Sequence, residues 1–146
     1  KLQSAFAMVR LWGGSVPLAY AVQALVSCAV IAGIVWCWRS ACDDAHKAAL
    51  LVTGTLLASP HILDYDLIVL AVAIAFLAAQ GLRTGFRPFE ISLLGALWIV
   101  PLLARSAAGF LALPVGFLVI ATFYAVVLTQ VWHKAAATRH PNFAKT

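Results

Sequence analysis

Long uncharged runs dominate the hydrophobic pattern of this chain. Residues 16–38 and 110–132 each extend over 23 positions without a charged side chain. At a rise of about 1.5 Å per residue, each run would form a helix of roughly 34 Å, which is long enough to cross the hydrocarbon core of a bilayer. The two runs therefore predict membrane-spanning helices.

Three shorter apolar stretches lie between these runs and predict further helices. Pro60 disfavours a helix at the residue before it, whereas Pro88 suits the first position of a helix. Within one stretch, alanines recur at every fourth position (Ala71, Ala75 and Ala79), and such a face lets a neighbouring helix approach closely. The whole pattern predicts about five spans, at 16–38, 45–59, 64–80, 88–104 and 110–132.

The remaining segments complete a single helical unit. Residues 1–14 mix polar and apolar side chains in a manner typical of a short helix at the membrane interface. We expect a tight turn at 105–109 and a basic tail at 133–146. Because no repeat, low-complexity tract or linker divides the chain, residues 1–146 are predicted to form one all-α, polytopic transmembrane bundle.

Composition excludes a soluble globular domain. The 146 residues are 64% hydrophobic and only 10% charged, whereas soluble domains are roughly 45–50% apolar and about 25% charged. The net charge of +5 does not indicate nucleic-acid binding, because the lysines and arginines are scattered singly and form no basic stripe. The three cysteines, Cys28, Cys37 and Cys42, show no metal-type spacing and are predicted to serve packing.

The distribution of basic residues predicts an orientation. With five spans, the connections 39–47 and 81–87 lie on the same side as the tail, and together they carry seven basic residues against three on the opposite side. The seven are Arg39, Lys47, Arg83, Arg87, Lys134, Arg139 and Lys145, and the three are Lys1, Arg10 and Arg105. The positive-inside rule then predicts a cytoplasmic C-terminus. We expect a multi-pass protein of the plasma (inner) membrane.

Residues 59–66, here called the polar knot, hold the one cluster that could carry chemistry. His61, Asp64 and Asp66 lie within six residues, beside Tyr65, and the predicted topology puts them on the outer side. Ionisable groups beside a membrane core are costly and often functional. The short flanking helices are expected to leave a water-accessible recess there.

A purely structural role for the polar knot is the alternative. Asp64 would cap the helix that begins near Tyr65, and Asp66 would favour its positive dipole end. A metal site is not predicted, because one histidine and two carboxylates that are adjacent in sequence rarely suffice as ligands. Nothing resembles a Ser-His-Asp arrangement, a phosphate-cradling glycine loop or a dinucleotide fingerprint, so nucleotide chemistry has no support.

Two strings of residues resemble a known family. The first is Ser59-Pro60-His61-Ile62-Leu63-Asp64-Tyr65-Asp66-Leu67, entered by Leu56-Leu57-Ala58. The second is Phe6 to Arg10 followed by Leu18-Ala19-Tyr20-Ala21-Val22-Gln23-Ala24-Leu25. Together they are similar to glycosyltransferase family 87 over about residues 1–80.

The resemblance implies a polytopic enzyme of the GT-C class. Such enzymes transfer a hexose, typically mannose, from a polyprenyl-phosphate donor to a glycolipid or glycan acceptor outside the cytoplasm, without a further cofactor. Their catalytic base is an aspartate in the first extracellular loop, and that loop is not in this chain. We therefore expect this chain to be the C-terminal transmembrane part of such an enzyme, where it lines the binding site of the sugar donor. We expect it to be inactive alone, and we assign no catalytic residue to it.

The phosphate of the sugar donor would contact the few side chains on the outer side that are cationic or can donate a hydrogen bond. Arg10 and Arg105 could pair with it, although snorkelling to lipid headgroups is their alternative role. His61 could donate from one ring nitrogen and Tyr65 from its hydroxyl. Asp64 and Asp66 would repel a phosphate, and they are expected to orient His61, an arginine or sugar hydroxyls.

A non-enzymatic membrane protein, such as a transporter subunit or an assembly factor, is the rival class. His61, Asp64 and Asp66 would then line an ion or proton path. The predicted spans contain no buried charge, and such a path usually needs polar groups at membrane depth. The few candidates are Gln23, Ser27, Thr53, Thr55, Ser92, Thr122 and Thr129. The lipid bilayer is an expected partner in either case.

Overall fold

The computed structural model describes residues 4–110 and 114–139, and all regular secondary structure in this part of the chain is helical. The helices are α1 (Ala5–Leu11), α2 (Val16–Arg39), α3 (Asp44–Ala58), a 3-10 helix (Asp64–Val69) that leads into α4 (Leu70–Thr84), α5 (Glu90–Phe110) and α6 (Val115–Arg139). The predicted all-α class is confirmed. Ser4 and Ser15 cap α1 and α2, since their hydroxyls accept from the backbone N–H of Ala7 and Leu18.

Three helices in the described residues are long and apolar enough to cross a membrane, by length and composition. They are Val16–Arg39, Asp66–Thr84 and Val115–Ala136. Large apolar side chains such as Leu25, Ile68 and Leu82 point outward from the bundle, at 71%, 75% and 80% exposure. These features suggest a multi-pass membrane protein, and the count of five spans stays a prediction.

Several helix ends differ from the predicted ones. The helix α5 runs through the turn expected at 105–109 and ends at Phe110, and α6 begins at Val115 and continues into the predicted tail as far as Arg139. Both extensions are rich in alanine, the residue with the highest helix propensity, and lack proline. A charged residue alone was therefore a poor sign of a helix end.

The connection between α4 and α5 also differs in detail. The helix α4 extends to Thr84 and ends at Gly85, whose φ of +87° lies in the region that glycine adopts without strain. Pro88 lies in the turn before α5 rather than at its first position. Glu90 begins the helix, and its carboxylate accepts a 2.8 Å hydrogen bond from the backbone N–H of Arg87.

The short helix α3 lies at the centre of the bundle. It packs against α2, α4 and α6, and α5 packs against α4 and α6 at the periphery of the bundle. A Cβ atom at Gly54 would come within 2.9 Å of the side chains of Ile34 and Val30, so this glycine lets α3 approach α2 closely. The alanine face predicted on α4 is exposed, and the buried positions are instead Leu70, Ala73, Leu77 and Gly81.

Contacts between distant residues define the two ends of the bundle. At one end, the Asp43 end, the Gln80 amide donates to the Asp43 carboxylate over 2.9 Å and Lys134 also pairs with Asp43. At the other end, the knot end, the Ser4 hydroxyl donates to the Pro60 carbonyl over 2.6 Å. The connections before α3 and after α4 therefore share an end with Lys134, as the parity of the spans predicts.

Candidate functional site at the polar knot

The polar knot begins where α3 can no longer continue. Ser59 follows Ala58 in an extended conformation (φ −82°, ψ 127°), as expected for the residue before Pro60. The chain turns, and Leu63 is again extended (φ −100°, ψ 161°) before the 3-10 helix starts at Asp64. The break predicted from Pro60 is therefore present.

Asp66 caps the 3-10 helix. Its carboxylate accepts a 2.9 Å hydrogen bond from the backbone N–H of Leu63, the residue at the cap position. The expectation that Asp64 caps the helix is wrong, because Asp64 is already its first residue. A carboxylate three positions after the cap reaches back to the free N–H more readily than the first residue can.

The helix α1 lies directly against the polar knot. The Ser4 hydroxyl bonds to the Pro60 carbonyl, and the ring centroid of Phe6 lies 6.0 Å from that of His61. Phe6 also contacts Tyr20 of α2, with 4.8 Å between ring centroids. The segment 1–14 and the knot, which are distant in sequence, therefore form one surface.

Gln23 of α2 fixes this arrangement from the inside. This residue is only 4% exposed. Its amide nitrogen donates to the carbonyls of Leu57 and Ala58 over 2.9 and 3.2 Å. Its amide oxygen accepts from the backbone N–H of Phe6 over 3.1 Å. The hydroxyl of Ser27 reaches the Ala58 carbonyl over 3.0 Å. The last carbonyls of α3, which a helix leaves without partners, are thus satisfied by α2.

The predicted site residues have different positions in the structure. His61 is exposed beside α1, and Arg10 is exposed on α1 with its guanidinium donating to the Gly14 carbonyl over 2.8 Å. Arg105 belongs to the last turns of α5, but its side chain lies outside the described part of the structure, as do the side chains of Asp64 and Tyr65. Of the predicted site residues, only His61 contacts α1 in the described part of the chain, whereas Asp66 bonds within the knot, and the other contacts stay predictions.

Sequence reasoning missed Gln23 and Ser4 as organisers of this site. A glutamine in a long apolar run was a usable signal, because a polar side chain at membrane depth needs a partner. Its partner could not be inferred, since that required knowing that the end of α3 lies opposite α2. No group of three His, Cys, Asp or Glu within the described ranges could hold a metal ion.

Two cavities in the described part of the chain lie away from the knot. One of about 940 Å³ opens at the Asp43 end between α3, α4 and α6, and one of about 280 Å³ lies between α5 and α6. The recess expected beside His61 is not among them. Among the side chains of the knot that the structure describes, that of His61 is exposed, that of Ile62 is buried and the others are partly buried.

The comparison with known families bears on this surface. The chain matches glycosyltransferase family 87 over residues 1–60. The match confirms the predicted resemblance over α1, α2 and α3 and ends at Pro60, so His61 and the rest of the knot lie beyond it. No curated protein and no solved structure is similar enough to the chain to give a match.

Proposed function

We propose that this chain forms part of a membrane glycosyltransferase that transfers a hexose from a polyprenyl-phosphate donor to a glycolipid or glycan acceptor. The family 87 match over residues 1–60 carries this proposal. The three candidate spans support a membrane setting, in which both donor and product are retained by the bilayer. A mannose-like sugar and the outer side of the plasma membrane are the finer parts of the proposal.

The contact between α1 and the knot supports a place for the donor. An interfacial helix and a polar loop form one surface at the end of a helix bundle, where a lipid phosphate would lie at the headgroup level. In this proposal the His61 imidazole donates a hydrogen bond to the phosphate oxygens. Charge-assisted bonds from Arg10 and Arg105 would add to it, because bonds to an ionised oxygen are about twice as strong as neutral ones.

The proposed roles follow from what transfer requires. A base takes the proton of the acceptor hydroxyl, a role that the resemblance gives to the first-loop aspartate, and the acceptor oxygen forms a bond to the anomeric carbon. The bond from that carbon to the phosphate oxygen breaks at the same time, so negative charge grows on the departing phosphate. Hydrogen-bond donors that are already fixed around that phosphate lower the barrier, because the protein does not have to rearrange during the reaction. Gln23 and Ser4 would act as positioning residues, because they hold α1 against the knot and do not face the phosphate themselves.

Photocrosslinking tests the donor site directly. A polyprenyl phosphate with a diazirine next to its phosphate is added to membrane vesicles that contain the chain, and the labelled peptides are identified by mass spectrometry. We expect labels within 4–14 and 59–66. His61→Ala should lower this labelling at least about tenfold, which corresponds to about 1.4 kcal/mol of binding free energy. His133→Ala is the matched control, because His133 is exposed on α6 near the Asp43 end.

The result can also contradict the proposal. Labels concentrated at the Asp43 end, or equal labelling of the wild type and His61→Ala, would exclude the knot as the donor site. Proton or ion flux through vesicles in the absence of any labelling would favour the transporter class.

The side of the membrane has its own test. Cysteines are placed at two exposed positions, His61 at the knot end and Thr84 at the Asp43 end. In intact cells, an impermeant maleimide should modify the cysteine at 61 and leave the one at 84 unmodified until the cells are opened. The reverse pattern would put the knot in the cytoplasm and remove the proposed donor from its reach.

A further inference from the structure

The cavity at the Asp43 end has the features of a second site, separate from the knot. Its volume is about 940 Å³, and its walls are the beginning of α3, the end of α4, the 85–89 turn and Lys134 of α6. Six charged residues line it: Asp43, Asp44, Arg83, Arg87, Glu90 and Lys134. Nothing in the proposed glycosyl transfer uses these residues.

The acidic residues of the cavity are engaged, whereas two arginines are not. Asp43 accepts from Gln80 and Lys134, and Asp44 pairs with Lys47 over 3.4 Å. Glu90 accepts from a backbone N–H. Within the described residues, no carboxylate lies within 4.0 Å of the Arg83 or Arg87 guanidinium. The cavity therefore offers two cationic groups to an anion.

Two buried polar groups in the cavity wall also lack hydrogen-bond partners. His46 is only 3% exposed, and neither of its ring nitrogens has a hydrogen bond. The Asp43 carboxylate lies 3.6 Å from Nδ1, which is too far for a hydrogen bond, and the nearby Gln130 side chain forms none with the ring. The Oε1 atom of Gln80 is likewise buried without a donor. Unsatisfied groups of this kind are rare in folded proteins because desolvation costs free energy.

We propose that this cavity binds a phosphate group whose neighbouring substituent carries a hydroxyl or ammonium donor. The phosphate would pair with Arg83 and Arg87, since guanidinium groups match phosphate oxygens in geometry and charge. The hydroxyl or ammonium would donate to Oε1 of Gln80, and a ring nitrogen of His46 would form a further hydrogen bond to the ligand. Because these atoms are buried from solvent in the unliganded protein, the ligand gives them partners only when the side chains of Gln80 and His46 turn toward the cavity.

Two sources can supply this chemistry. The cavity opens at the ends of helices, where phospholipid headgroups such as phosphatidylglycerol or phosphatidylethanolamine lie, and Phe76 and Phe86 give it an apolar wall beside the charged one. A soluble phosphate ester such as glycerol 3-phosphate carries the same groups without acyl chains. Phosphatidylcholine has the phosphate but no donor, and diacylglycerol has a hydroxyl but no phosphate, so the two lipids separate the requirements.

Native mass spectrometry of the delipidated full chain in detergent tests the site. We expect phosphatidylglycerol and phosphatidylethanolamine to bind at least about tenfold more tightly than phosphatidylcholine or diacylglycerol. The double substitution Arg83→Gln and Arg87→Gln should lower phosphatidylglycerol binding at least about tenfold. Arg39→Gln is the control, because Arg39 is exposed at the same end but does not line the cavity.

Each further outcome has a defined meaning. Gln80→Met should remove the preference for phosphatidylglycerol over phosphatidylcholine while phosphate binding remains. Competition by glycerol 3-phosphate at similar affinity would support the site with a soluble ligand. Equal weakening by Arg39→Gln, or binding of diacylglycerol as tight as that of phosphatidylglycerol, would overturn the proposal, because general surface charge or acyl chains would then explain the binding.

Discussion

The hydroxyl of Tyr124 donates a 2.7 Å hydrogen bond to the backbone carbonyl of Val30. The two residues lie 94 positions apart, and both are buried. A carbonyl in the middle of a helix normally bonds only within that helix, and here its second lone pair accepts from α6. This bond ties α6 to the middle of α2 in a part of the bundle where polar groups are scarce.

Gly33 makes room for this contact, and Gly33→Ala should destabilise the bundle. A Cβ atom at this position would lie 2.5 Å from the Tyr124 hydroxyl, so the tyrosine would have to move and lose its bond. We expect a loss of about 1–3 kcal/mol in the free energy of unfolding, typical of overpacking. Thermal unfolding in detergent measures it.

Gly95→Ala is the matched control for this experiment. A Cβ atom at Gly95 would have no neighbour within 4 Å, and alanine favours a helix by roughly 0.8–1.0 kcal/mol over glycine. We expect unchanged or slightly higher stability. Equal destabilisation by both substitutions would show that the Tyr124 contact does not decide the effect.

Gln23→Leu should loosen α1 and the polar knot together. The substitution removes the donor to the Leu57 carbonyl and the acceptor for the Phe6 N–H, and these buried groups would lose their partner. The expected cost is about 1–3 kcal/mol. Hydrogen exchange should become faster in α1 and at residues 57–63 and stay unchanged at the Asp43 end.

Thr55→Val provides the comparison for Gln23→Leu. The Thr55 hydroxyl is exposed and bonds only to the carbonyl of Val52 in its own helix. Its loss should leave exchange at the knot unchanged. Faster exchange spread evenly over both ends in Gln23→Leu would mean that Gln23 stabilises the whole bundle rather than the knot.

Cys42 should react slowly with thiol reagents. Burial raises the pKa of its thiol to about 12, and the hydrogen bond with Cys37, whose sulfur lies 2.9 Å away, adds to the shift. Because the thiolate is the nucleophile, alkylation of Cys42 by a water-soluble maleimide at pH 8 should be much slower than that of an ordinary exposed thiol. Peptide mapping by mass spectrometry follows the reaction.

The packing role predicted for the cysteines agrees with the structure at Cys37, which is buried, and all three cysteines are free thiols. Cys37 and Cys42 are close enough for a mild oxidant to join them, whereas Cys28 is exposed on α2, within a candidate span. Mild oxidation should therefore produce a 37–42 crosslink. A crosslink that involves Cys28 instead, or rapid alkylation of Cys42, would contradict the arrangement.

The ion pair between Asp43 and Lys134 should make stability depend on acid pH. The bond from Lys134 holds the pKa of the Asp43 carboxyl below its usual value of 3.8. The stabilising contribution is therefore fully present above the usual pKa and is lost as the pH falls through the lowered one. Because the pair is about half exposed, its contribution should be roughly 0.2–1 kcal/mol.

Asp43→Asn isolates this contribution. The variant should be less stable than the wild type at neutral pH, and the difference in melting temperature should shrink as the solution becomes more acidic than the lowered pKa. Asp44→Asn is the control, because Asp44 is almost fully exposed and pairs only with Lys47. A difference that stays constant across the acid range would exclude the ion pair as its source.

The sequence predicted the existence of the helices better than their ends or neighbours. Long apolar runs can only be satisfied as helices in a bilayer, so α2 and α6 were predictable from composition alone. The end of α5 was not, because an alanine-rich segment continues a helix even after a charged residue such as Arg105. The central position of α3 depends on contacts with three other helices, and a local sequence pattern does not predict such contacts.

The candidate site was predictable only in part. Pro60 fixed the place of the break, and the cluster of His61 with Asp66 marked it as polar. The contact with α1 was not predictable, since it depends on a bond between Ser4 and Pro60 that joins residues 56 positions apart.

The central position of α3 has a consequence for how the protein is made. The helices α2 and α6 qualify as spans, whereas α3 does not, and α3 also buries His46 and Thr53. During synthesis α2 leaves the ribosome before α3, but α6, which covers another face of α3, follows only after α4 and α5. A helix with polar side chains partitions weakly into lipid when it is alone. We therefore expect α3 to enter the membrane late, together with partners that are translated after it.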